Sequence, residues 1–232
     1  MLRFIGGLVG ALLLCTLVWL IGIDMQRNVP TETSRWVFDA YQLKMTAAQA
    51  ADGPKVLVVA GSNALFGIDS SLLEAAWRHP VINLAINAGL RLPYILDMSR
   101  RVARPGDIIL LPIEYGLYLY DGKPSAQIID YTLARDPAYL DRLGLAERLL
   151  FALEMAPERW LRGLRALPDH PVISGTYGVH HIDRKGDQTH TDASDRSPSE
   201  EAEVAASRPR NYGARALKEP EGWALLSDYS HW

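Results

Sequence analysis

The stretch at residues 55–67, KVLVVAGSNALFG, constrains this chain most. Its front half, residues 55–60, is a β-branched apolar run entered through Asp52-Gly53-Pro54, the pattern of a strand buried on both faces. The strand stops at Gly61. Two small polar residues follow, Ser62 and Asn63, and a second glycine stands at Gly67 before the chain turns into a helix. Ligands of parallel α/β sheets bind outside the carboxyl ends of the strands, so Ser62 and Asn63 stand where chemistry is usually done.

The residues that follow repeat the alternation. Ser71-Leu72-Leu73-Glu74 has the S-x-x-E form of a capping box and opens a short helix that Pro80 closes. Residues 81–86 return as a second strand, 93–102 suit a helix, and Arg104-Pro105-Gly106-Asp107 turns into a third strand at 108–113. Strand and helix in strict alternation predict an α/β fold built on a doubly wound parallel sheet.

Ahead of this unit, residues 4–23 form an apolar run with no charge, preceded by Arg3 and followed by Asp24. At about 1.5 Å per residue it crosses the roughly 30 Å of a bilayer's hydrocarbon core, and Trp19 falls near the far interface. Residues 1–24 therefore read as one transmembrane anchor with its amino terminus in the cytoplasm. A cleaved secretory signal is the competing reading; the run is longer than a usual signal core, and no A-x-A site follows it. Residues 25–53 read as a connector with one helix, capped from Thr31 or Thr33, that holds the domain off the membrane.

Cys15, the single cysteine, lies inside the anchor. The rest of the chain forms no internal disulfide and has no zinc-type ligand cluster, so neither a metal nor a cofactor is expected. The formal net charge of -3, without a basic block, argues against nucleic acid as a partner.

Residues 136–167 read as a helical insertion with Leu140, Leu143, Leu145, Leu149, Leu150 and Leu153 on an apolar packing face, broken at Pro157. Residues 183–210, rich in Asp, Ser, Glu, Thr and Arg, read as a polar mobile loop. The last segment, 219–232, has helical spacing of Trp223, Leu226 and Tyr229. A doubly wound domain with three clear strands that stops in a helix is expected to be incomplete at its carboxyl end.

A strand, a Gly-x-x at its end and a glycine six residues later resemble block I of the SGNH (GDSL-like) hydrolases. With a single anchor in front, GSNALFGID looks like the membrane-tethered branch related to DltD and the alginate O-acetylation proteins. The resemblance spans residue 55 to about 120. It implies a three-layer SGNH or flavodoxin-like domain over 54–232, held outside a bacterial-type inner membrane. It also implies a role in acylating or deacylating a cell-envelope polysaccharide, with a membrane acyltransferase as partner.

With Gly61 and Gly67 aligned on the family pattern, Asn63 occupies the position of the nucleophilic serine. An amide has no hydroxyl proton for a base to remove, so this register has lost its nucleophile. A shift of one residue makes Ser62 the nucleophile at the cost of both glycine matches. The family's second block implies an oxyanion donor at Gly89 or Ala88. Its third block has an asparagine where this chain has Glu114, whose charge would oppose a developing oxyanion. Its last block, D-x-x-H, is matched in letters by Asp228 and His231.

Three functions stay open on these residues. One is a serine esterase or O-acyltransferase using Ser62, His231 and Asp228, with the Ser62 and Gly89 N–H groups on the oxyanion and Gly61 lining the site. Another is an SGNH-like binding or assembly protein without acyl chemistry, as Asn63 and Glu114 suggest. The third is a fragment of the enzyme.

Overall fold

The computed structural model describes residues 1–165 and 178–189, together with Leu226, Asp228 and Tyr229. Most of these residues are helical, around a small parallel sheet. Strands β1 (Val56–Val58), β2 (Val81–Asn83) and β3 (Ile108–Leu110) lie in the order β2-β1-β3. Val56 pairs with Val81 on one side and with Ile108 on the other. The β-branched run that suggested a strand is thus the central one, and β1 is wholly buried, as a strand covered on both faces must be. Among the described residues β3 is an edge, and its Ile108 is 54% exposed.

The first two strands are linked by α3 (Ser62–Gly67) and α4 (Ser70–Trp77), and α5 (Arg91–Arg100) leads to β3. The cap of α4 is not the expected Ser71. Asp69 takes that place, its carboxylate accepting from the Leu72 N–H at 3.0 Å. The carboxylate of Glu74 instead accepts from the Val81 N–H at 3.3 Å and pairs with Lys185 at 2.7 Å, tying the helix to the strand after it.

The entry edge of the sheet is closed by a buried ion pair. Lys55 Nζ meets Asp107 Oδ2 at 2.6 Å, with the two side chains 0% and 2% exposed. Burial alone would raise the Asp107 carboxyl. Hydrogen bonds from Lys55 Nζ and from the Arg104 and Lys55 N–H groups, with the Lys55 charge, hold it below its ordinary value.

The expected connector is a core element. Helix α2 (Glu32–Ala50) starts with a reciprocal Thr31–Ser34 cap and buries Val37, Ala40, Tyr41, Lys44 and Ala48. These recur every three or four residues, so one face of the helix is inside. It packs on α7 (Ala126–Arg135) and on β2. Between α2, α5, α7 and α8 (Pro137–Arg142) sits a tyrosine cluster, with Tyr94 4.8 Å from Tyr139 and 5.6 Å from Tyr131, ring centre to ring centre.

The leading end of the polar stretch is also folded. Residues 178–189 turn back on themselves through an Ile182–Gln188 bridge and cover the outer edge of β2, where the Lys185 carbonyl accepts from the Asn83 N–H at 2.7 Å. Polar composition did not keep this piece out of the core, because Asp187 has buried partners. It accepts from Ser70 N–H at 2.6 Å, Ser70 Oγ at 2.9 Å and Asn83 Nδ2 at 2.9 Å. The rest of the expected loop, residues 190–210, lies outside the described residues.

Helix α1 (Leu2–Asp24) is long and apolar enough to cross a membrane. Its last turns are fastened to the domain. Trp19 Nε1 donates to the Ala152 carbonyl at 2.9 Å, and Gly22 lies under the Trp160 indole so closely that a Cβ there would overlap the ring. Beyond α1, Arg159 bonds Gln26 Oε1 at 2.7 Å and pairs with Asp130 at 2.5 Å, all in the interior. A short helix, α6 (Tyr115–Tyr118), follows β3. The segment 136–167 begins as α8 and continues as α9 (Leu145–Glu154) and α10 (Pro157–Arg165), with Pro157 at the break as expected. Its leucines form the expected packing face only in part: Leu140 is buried and Leu143 and Leu150 are half-buried, but Leu145, Leu149 and Leu153 are exposed.

Candidate functional site

Three chain segments leave the sheet at its carboxyl end: residues 59–63 after β1, 84–90 after β2 and 111–114 after β3. Gly61 is the N-cap of α3, so Ser62 and Asn63 are that helix's first two residues. Glu114 is the N-cap of α6 and turns back towards β1. One carboxylate oxygen accepts from the Gly61 N–H and the other from the Asn63 N–H, each at 3.0 Å. Asn63 Nδ2 donates to the Pro112 carbonyl at 2.6 Å, a second tie between the same two strand ends.

Gly61 is required here by close approach. A Cβ would overlap the Glu114 carboxylate and meet the Ala88 methyl, so the exits of all three strands converge on this residue. The two N–H groups that Glu114 holds flank Ser62, and each is bonded to a different carboxylate oxygen. A negative charge therefore already stands beside the Ser62 N–H, the donor that the esterase reading requires, and would oppose a developing oxyanion there.

The expected donor at Gly89 is also engaged. It sits in a 3-10 turn, Ala88–Leu90, where its N–H donates to Asn87 Oδ1 at 2.6 Å, and its carbonyl accepts from Ser125 Oγ. Ser62 is half-buried, and its hydroxyl makes no hydrogen bond among the described residues. Asn63 is exposed, with its amide spent on Pro112.

Asp228 is not brought to Ser62. Its neighbour Tyr229 is buried with its hydroxyl 2.7 Å from Ser99 Oγ, and Tyr229 and Leu226 line a cleft with Arg104, Gly106 and Asp107, the turn that enters β3. In a parallel sheet that turn is at the opposite end from Ser62. Asp228 itself is exposed, and His231 lies outside the described residues. Among the described residues no group of His, Cys, Asp or Glu is arranged to hold a metal ion.

Sequence reasoning missed a buried base beneath the exit of β2. Lys44 of α2 is fully buried, and its Nζ donates to the Ala85 carbonyl. Burial lowers its pKa to about 7, although Asp187 and Asp183 act in the other direction. The signal was in the sequence: a lysine standing in register with Val37, Tyr41 and Ala48 on an apolar face.

Comparison with known proteins finds no matching family model, no matching curated protein and no matching solved structure.

Proposed function

We propose that this chain is a membrane-anchored, extracytoplasmic SGNH-like protein linked to acylation or deacylation of a cell-envelope polysaccharide, and that its SGNH-like site serves binding or assembly, not ester hydrolysis. One observation supports the second half: the Glu114 carboxylate sits on the Gly61 and Asn63 N–H groups on either side of Ser62, so a negative charge stands beside the place where an oxyanion would form. Asn63 in the nucleophile position and the distance of Asp228 from Ser62 along the strands point the same way.

The strand order supports the doubly wound reading. In β2-β1-β3 the first crossover moves to one side of β1 and the next passes back over it, so right-handed connections put α3–α4 and α5 on opposite faces. The Gly61–Glu114 contact then lies between the carboxyl ends of β1 and β3, at the switch point where such sheets bind ligands. Packing of Trp19 and Gly22 on the domain supports an uncleaved anchor, because cleavage after α1 would remove part of the fold. Arg3 before the span favours an amino terminus in the cytoplasm; the bacterial-type inner membrane and the membrane acyltransferase as partner rest on the SGNH-like resemblance.

The test is labelling of the full chain, in detergent, with a fluorophosphonate probe, using Ser62→Ala and His231→Ala as controls. No labelling of the folded protein is expected. Labelling lost in both variants would replace the binding role with a serine esterase.

A further inference from the structure

Helix α9 carries leucines at 145, 149 and 153, and they are 75%, 48% and 81% exposed. At 100° per residue these three fall within an arc of about 80°. Glu147 and Glu154 lie on the opposite side, where Glu154 is 3.9 Å from Lys123. The quadrant beside the leucines, formed by Arg148, Phe151, Ala152 and Met155, lines a cleft shared with Leu20 and Ile23 of α1. In α10, Leu161 and Leu164 are 50% and 52% exposed, next to the Trp160 that covers Gly22.

We propose that this leucine surface of α9 and α10 is a membrane-surface element, lying in the interfacial layer of the same bilayer that α1 crosses. The inference rests on the reading of α1 as a membrane span. The occupant follows from continuity with that span. Trp19 is five residues before the end of α1, a rise of about 7 Å, and it is hydrogen-bonded to the carbonyl of Ala152, between Leu149 and Leu153 in the same helix. A helix fastened at that depth lies at the boundary of headgroups and acyl chains, where amphipathic helices bury an apolar face. The exposed leucines then have lipid for their solvent, and the acidic side of α9 faces the domain.

The test uses the full chain in a Cys15→Ser background, reconstituted in phosphatidylcholine–phosphatidylglycerol vesicles. Single cysteines at Leu149→Cys, Leu153→Cys, Leu12→Cys in mid-span and Ser71→Cys on α4 each carry an environment-sensitive fluorophore. Lipids with a nitroxide near the headgroup or deep in the chain serve as quenchers. All four positions are exposed, so the labels displace no core packing. The expected result is a blue shift and loss of fluorescence to the shallow quencher at 149 and 153, loss to the deep quencher at 12, and neither at 71. Deep quenching at 12 with 149 and 153 unquenched would overturn the surface element and leave the anchor standing. No quenching at 12 would overturn both. A label at 149 or 153 shielded from water yet unquenched by lipid would mean that protein, a second copy included, covers this face, and would overturn the assignment to lipid.

Discussion

Asn63 and Glu114 are joined backbone to side chain: the Asn63 N–H donates to the Glu114 carboxylate at 3.0 Å, across the gap between the ends of β1 and β3. The same carboxylate holds the Gly61 N–H, so Glu114 ties the carboxyl end of β1 to that of β3.

Replacing Glu114 tests that tie. Glu114→Ala leaves a part-buried and an exposed N–H group without their acceptor and should cost about 0.5–1.5 kcal/mol in urea unfolding. Glu114→Gln retains one acceptor oxygen and should lose less. Equal stability of both variants and the parent would mean that solvent replaces the carboxylate without penalty.

Lys44 should make stability depend on pH. Its amine has a folded pKa of about 7 against an ordinary value of 10.5. Between these values the unfolded chain binds the extra proton, so stability rises as pH rises from about 7 to about 10.5 and loses this dependence on either side. The slope is at most about 1.4 kcal/mol per pH unit. Urea midpoints measured at neutral pH and about two units higher should climb in the parent and stay level, as far as this group is concerned, in Lys44→Met.

The Lys55–Asp107 pair should be costly to break from one side. Lys55→Ala leaves a buried carboxylate without its cation and should destabilise by about 3–5 kcal/mol. A loss within the range of a surface pair, under about 1 kcal/mol, would show that water reaches Asp107.

Gly186 has φ +89°, and a Cβ there would run into the Asn83 carbonyl. Gly186→Ala should therefore lift residues 178–189 off β2, lowering the melting temperature and opening this segment to limited proteolysis. Unchanged protection would show that the turn yields without leaving the sheet edge.

The sequence pattern was most legible where one physical demand dominated. The β-branched run at 55–60 marks the central strand because both faces need apolar cover, and the charge-free run at 4–23 marks α1 because it meets no charge for twenty residues. What stayed hidden depends on long-range pairing. Glu114 reads as an intruder in a family position until its partners, more than fifty residues earlier, are in place. Asp187 looks like one more charge in a polar stretch, yet its value lies in Ser70 and Asn83. Leucine spacing in α9 gave the face but not its surroundings, since the same spacing suits a core and a lipid surface equally.

The indole of Trp160 over Gly22 decides what kind of attachment α1 would provide as the proposed membrane span. A flexible tether would let the domain sweep a volume above the bilayer and meet partners from any side. In a bilayer crossed by α1 as proposed, a stem locked at its last turns would remove that freedom: the domain would travel only with its helix, by lateral diffusion and rotation about the membrane normal, at one height and tilt. Recognition in the plane of the membrane would then become a matter of azimuth alone, and a bulkier residue at Gly22 would change how the domain stands while leaving the span in place.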